Sequence, residues 1–77
     1  ECPYQEPSVT LFKGCQKGDS VKWLQWHLNR LGYICEIDGS FGGATEKLVE
    51  ELQKNSNGQL AVDKRVGKLT RAYINSL

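Results

Sequence analysis

A 25-residue repeat constrains this chain more than any other feature. Asp38, Phe41, Gly42 and Thr45 return as Asp63, Val66, Gly67 and Thr70 at identical spacing. Self-similarity at a fixed period in a short chain means that one supersecondary unit is used twice. The stretch Asp38 Gly39 Ser40 Phe41 Gly42 Gly43 Ala44 Thr45 reads as a turn feeding a helix, so the chain has to build itself from turn-helix units.

With 77 residues the chain is one domain at most, burying roughly 60–65% of its unfolded surface. Its 39% hydrophobic and 25% charged residues are those of a soluble globular domain. No apolar run approaches the ~20 residues of a membrane span. Ten Lys and Arg stand against nine Asp and Glu, with the signs mixed, which disfavours a nucleic acid partner. A start at Glu1 with no methionine and no charged-then-apolar leader predicts excision from a longer protein.

Cys2, Cys15 and Cys35 cannot all pair within one chain. A helix of about 12 residues, ~18 Å long, lies between Cys15 and Cys35, whereas a disulfide needs Cα atoms within ~7 Å. Cys2 on the arm can reach either, and free thiols are the expectation. No CxxC spacing exists, which argues against zinc, and neither metal nor cofactor is expected.

Pro3, Pro7, Gly14 and the Val9, Leu11 alternation predict an extended N-terminal arm over residues 1–13, loose at its start and docked later. The domain proper is placed at 14–77. Gly18 Asp19 Ser20 supplies N-cap chemistry for a helix from about Ser20 to Leu31, which Gly32 ends in a left-handed conformation. A second helix is expected from Gly43 to Asn55 and a third from Lys68 to the end of the chain.

One template at i, i+3, i+4, i+7 fits all three helices. It holds Val21, Leu24, Gln25, Leu28, then Thr45, Leu48, Val49, Leu52, then Thr70, Tyr73, Ile74, Leu77. Gln25 is the misfit. An unsatisfied buried amide costs about 1–3 kcal/mol, so Gln25 is predicted to hydrogen-bond a loop, the Asp38 to Gly42 turn. The fold class that follows is all-α: a three-helix bundle with an internal turn-helix repeat.

Phe41 and Val66 are expected to plug the bundle, and Thr45 and Thr70 to close the first turns of their helices. Gly42 is expected to sit where a side chain would crowd the start of the second helix. Asp38 either holds its turn or accepts hydrogen bonds from a ligand, and the two roles are compatible. Trp23, Trp26 and Arg30 lie opposite the apolar stripe on a helical wheel. Two readings stand for the indoles: a stacking platform for sugars, or a surface that receives the arm or another domain. Arg30 is expected to stack on Trp26. His27 has no triad or metal partner at a useful spacing, and Glu46, Glu50 and Glu51 form a solvated face.

Gly18 Asp19 Ser20 Val21 Lys22 Trp23 Leu24 Gln25, Leu31 Gly32 Tyr33, Asp38 Gly39 Ser40 Phe41 Gly42, Thr45, Val62 Asp63, Val66 Gly67 and Thr70 occur in that order. The series resembles the type 1 peptidoglycan-binding domain, a three-helix module appended to bacterial and phage cell-wall hydrolases. The resemblance covers about residues 14 to 77, and the arm Pro3 to Pro7 resembles the lead-in of such modules in hydrolases of Gram-positive gut bacteria and their phages. Two departures are Lys64, where the family usually has Gly, and Gln59, which lengthens the lead into the second turn.

The resemblance implies a non-catalytic module that targets an attached amidase, muramidase or endolysin to the wall, outside the cell or in the periplasm. Its partners are then the glycan strand or stem peptide and a catalytic domain in the same chain, without nucleic acid or membrane, the module being a monomer. Implied ligand contacts are Tyr33, Asp38 and Ser40, with Trp23 and Trp26 as an extended platform. The competing reading is a dimerisation or protein-interaction module using the Trp23 and Trp26 face. An enzyme and a DNA-binding helical module are weaker alternatives.

Overall fold

Three helices form where the apolar spacing places them. They are α1 (Gly18–Arg30), α2 (Gly43–Lys54) and α3 (Lys68–Asn75), and no strand accompanies them in the computed structural model, which describes residues 1–77. The bundle measures 28 × 26 × 23 Å. Its core joins Val21, Leu24 and Leu28 of α1, Val49 and Leu52 of α2, and Ile74 of α3, with Phe41 and Val66 plugged in from the turns.

The helix ends differ from the sequence expectation in informative ways. Asp19 and Ser20 lie inside α1, and its N-cap is Lys17 with no side-chain cap bond. Asp19 instead puts an acidic group in the first turn, where the helix dipole favours it. At the other end Gly32 takes φ +94°. Its N–H donates to Asn29 O at 3.0 Å and the Tyr33 N–H donates to Leu28 O at 2.8 Å. This paired closure satisfies two orphan carbonyls and needs a left-handed residue between them. The third helix stops at Asn75, and Leu77 is 52% exposed and not inward.

The N-terminal arm docks more fully than expected. Leu11 is completely buried, and its backbone exchanges two hydrogen bonds with Val66, at 3.0 and 2.8 Å. Gly14 N–H, just past the arm, donates to Phe41 O at 2.9 Å, so the arm and its junction touch the plug residue of each repeat. Even Cys2 and Tyr4 pack against the core. The three thiols are free and half-buried.

Trp23 corrects the wheel. It is only 3% exposed and belongs to the core cluster together with Leu11. The wheel assigns α1 one buried face, but Trp23 on the opposite side joins the same core cluster as Leu11 of the arm, so burial extends beyond the apolar stripe, while Trp26 stays half-buried. Gly42 is corrected as well: its φ of −102° is ordinary extended backbone, and a Cβ there would meet nothing within 4 Å.

Positive φ is needed at Gly39 (+76°) and at Lys64 (+63°), which are equivalent positions of the two turns. Lys64 therefore adopts the conformation glycine serves in the first turn, without a change of turn shape. A left-handed L-residue costs roughly 1–2 kcal/mol, partly offset by the entropy glycine loses on folding. Gly39 has a second constraint, since a Cβ there would sit 3.2 Å from the Gly18 carbonyl oxygen. Lys64→Gly should stabilise the protein by about 0.5–1 kcal/mol, raising Tm a few degrees, while Gly39→Ala should lower it. Thermal unfolding of both variants beside the parent protein checks the pair.

Candidate functional site

Gln25 leaves α1 and enters the first turn. Its Nε2 donates to Asp38 Oδ1 (3.0 Å), to the Ser40 carbonyl (3.1 Å) and to Thr45 Oγ1 (3.2 Å). Its Oε1 accepts the Gly39 N–H at 3.0 Å. The bond to the turn agrees with the sequence expectation. Thr45, by contrast, does not close its own helix turn but receives Gln25 from α1.

The same network recurs with a glutamine that the sequence reading missed. Gln53 Nε2 donates to Asp63 Oδ1 (3.0 Å), the Arg65 carbonyl (2.8 Å) and Thr70 Oγ1 (3.4 Å), and its Oε1 accepts the Lys64 N–H (2.9 Å). Both amides are 1% exposed. The signal lay in a different register: Val49, Leu52, Gln53 and Ser56 repeat Val21, Leu24, Gln25 and Leu28. Anchoring the template on Thr45 hid it.

Asp38 Oδ1 also accepts the Ser40 N–H at 2.9 Å. That backbone bond, and then the Gln25 amide, hold the Asp38 carboxyl below its ordinary value of 3.8. Beside it a shallow groove of about 420 Å³ runs between the connector and the start of α2, with Ile34, Glu36, Asp38, Ser40 and Leu48 among its walls. Ile34 is 92% exposed at its lip. The connector is clamped by Asn29, whose Oδ1 accepts the Cys35 N–H at 2.9 Å while its Nδ2 donates to the Cys35 carbonyl. Burial pushes the Cys35 thiol pKa up, partly countered by a contact with Thr45.

Tyr33 does not line this groove. Its hydroxyl accepts a hydrogen bond from Asn55 Nδ2 at 2.9 Å, tying the connector to the end of α2. Trp26 lies elsewhere again, in an open depression of about 480 Å³ shared with Cys2, His27, Arg30 and Leu77. His27 contacts both indoles, its ring 4.6 Å from Trp23 and 5.0 Å, edge-on, from Trp26. Burial and then the Arg30 charge keep its pKa below 6.5.

Arg30 does not stack on Trp26 as expected. Its guanidinium donates to the Leu77 and Ile74 carbonyls (2.9 and 3.1 Å) and its Nε to His27 Nδ1 (3.1 Å). It thus serves the carbonyl-rich end of α3, where a cation is favoured. No group of three His, Cys, Asp or Glu side chains is placed to hold a metal ion. The arrangement presents hydrogen-bonding edges and apolar lips, which is the chemistry of recognition.

A family profile described as a peptidoglycan binding domain matches residues 17–74, which include both turns and both glutamine networks. The chain belongs to that family. No curated protein and no solved structure matches it.

Gln25→Ala and Gln53→Ala should each cost about 2–4 kcal/mol, because each removes four hydrogen bonds that hold a turn, takes away a partner of a buried threonine hydroxyl and leaves a cavity. Exposed Gln59→Ala should stay within about 0.5 kcal/mol, and denaturant unfolding of the three separates them. Asp38 has a folded pKa below its unfolded one, so its contribution is present above 3.8 and is lost as the pH falls through the depressed value. The stability gap between the parent and Asp38→Asn should therefore be flat above about pH 5 and shrink below 3.8. Urea unfolding across that range checks it.

Proposed function

We propose that this member of the peptidoglycan binding domain family docks on the wall through the groove at its first turn and anchors a cell-wall hydrolase carried in the same longer chain. The observation behind this reading is the exposed edge of Glu36, Asp38 and Ser40 beside the apolar lip of Ile34, in a groove within the matched segment. Sugar hydroxyls and peptide amides donate to such carboxylates, and a sugar CH face or alanine methyl fits the lip. Asp38 Oδ1 is committed to the turn, so a ligand meets Oδ2.

Trp26 is a second contact for a longer strand, half-buried in its own depression. Tyr33 acts through the connector, by fixing its exit from α1. Trp23 has no free face to offer, and its burial also removes half of the surface on which a dimerisation reading rests. The chain works as a monomeric, non-catalytic module on the wall side of the cell, and no helix is long and apolar enough to cross a membrane. A shallow site binds one repeat weakly, and the polymer compensates by offering many sites to a tethered enzyme.

The 77-residue chain should sediment as a monomer and be retained by purified cell walls. Ile34→Ala, at a 92% exposed position, should shift stability by less than about 0.5 kcal/mol yet reduce retention severalfold. Trp26→Ala should reduce it too, with Tm changed by only a few degrees. Unchanged retention in Ile34→Ala would sink the groove assignment, and a dimer that ignores walls would sink the functional reading as a whole.

A further inference from the structure

The repeat duplicates the groove as well as the turn. A second depression of about 210 Å³ lies between the second connector and the start of α3, and each of its 8 lining residues has its counterpart 25 positions earlier in the first groove. The scaffold is shared, but the chemistry is inverted. Glu36 becomes Ala61, Ser40 becomes Arg65, Gly43 becomes Lys68 and Ala44 becomes Leu69. The first groove is lined by two carboxylates and no cation, the second by two cations and Asp63 alone of opposite sign.

Those cations are uncommitted. The ion pairs of the protein are Lys54 with Glu50 and Arg71 with Glu6, so neither Arg65 nor Lys68 has a carboxylate partner. Asp63 Oδ1 is occupied by the Gln53 amide and the Arg65 N–H. The Arg65 guanidinium is pre-placed, its Cζ 5.6 Å from the centre of the Phe12 ring, which lowers the entropy of using it. Beside it Leu69 is 75% exposed, an apolar lip equivalent in role to Ile34.

We propose that this second groove is a separate site for the free carboxylates of peptidoglycan stem peptides, with an adjacent alanine methyl on Leu69. Guanidinium and ammonium groups favour such an anion, and the first groove, with two carboxylates, disfavours it. The domain then grips one polymer at two points of opposite preference. This inference rests on the peptidoglycan-binding reading.

The test uses a synthetic stem pentapeptide ending in D-Ala-D-Ala, with its carboxylates free or amidated, titrated into the 77-residue chain while backbone amide shifts are followed. The free peptide should move Gly67, Lys68 and Leu69, and the amidated one should not. The double variant Arg65→Gln, Lys68→Gln, altered at exposed side chains only, should bind purified walls about three- to tenfold more weakly and with a flatter salt dependence. Parent-like wall binding by that variant, or shifts confined to the first groove, would overturn the second site while leaving the first intact. Failure of the parent to bind walls at all would overturn both readings.

Discussion

Each turn of this protein is organised by one buried glutamine amide. Gln25 and Gln53 each hold the aspartate side chain, a backbone amide and a backbone carbonyl of a turn, and then the threonine of the helix that follows. Leaving the buried amide itself unpaired costs about 1–3 kcal/mol, and in a small core there is little surplus to absorb it. The amide therefore sets where each turn sits against the helix before it. α2 occupies a special place, receiving Gln25 at Thr45 and sending out Gln53 from the same helix. Those two residues lie eight positions apart, about 12 Å along the axis. An insertion between them would rotate one end against the other by about 100° and put one network out of reach.

The helices, their apolar faces, the core plugs Phe41 and Val66, and the destination of Gln25 were legible in the sequence, because each follows from spacing and from the cost of an unsatisfied amide. Gln53 was not, since the loop after it is shorter. Gln25 and Asp38 are 13 residues apart and Gln53 and Asp63 only 10, so the period is 25 when counted from the turns and 28 when counted from the glutamines. A single fixed period could not align both. Trp23 was misplaced by the helical wheel alone, which treats one helix as if it had one neighbour; the reading of the indoles as a surface for the arm already allowed for a second, and Trp23 shares the core cluster with Leu11 of the arm.

The groove residues show the same limit. Asp38 and Ser40 were found from the turn, but Ile34, Glu36 and Asn29 carry no motif; their importance comes from a connector that Asn29 grips at Cys35. Tyr33 and Trp26 are near in sequence to the groove or to its glutamine, yet neither lines it. Duplication with divergence explains the pair of grooves. The buried network keeps its chemistry, as Gln, Asp and Thr occur in both copies, while the solvent-facing positions between them lose a carboxylate at Ala61 and gain cations at Arg65 and Lys68.

The arm and α3 form a seam. Glu6 meets Arg71 and Asn75, the Val9 carbonyl takes a bond from Arg71, and Leu11 pairs with Val66, while Glu1 and Leu77 border one depression. Tension applied between residues 1 and 77 would therefore peel the arm from one end, breaking side-chain contacts singly before reaching the Leu11 and Val66 pair. Along the arm, the second turn feels that load before the Gly14 to Phe41 bond passes it to the first, while at the other end Arg30 takes part of it from Leu77 into α1. Under strain the two halves of the repeat are not mechanical equals: the second is loaded through the arm, the first through α1.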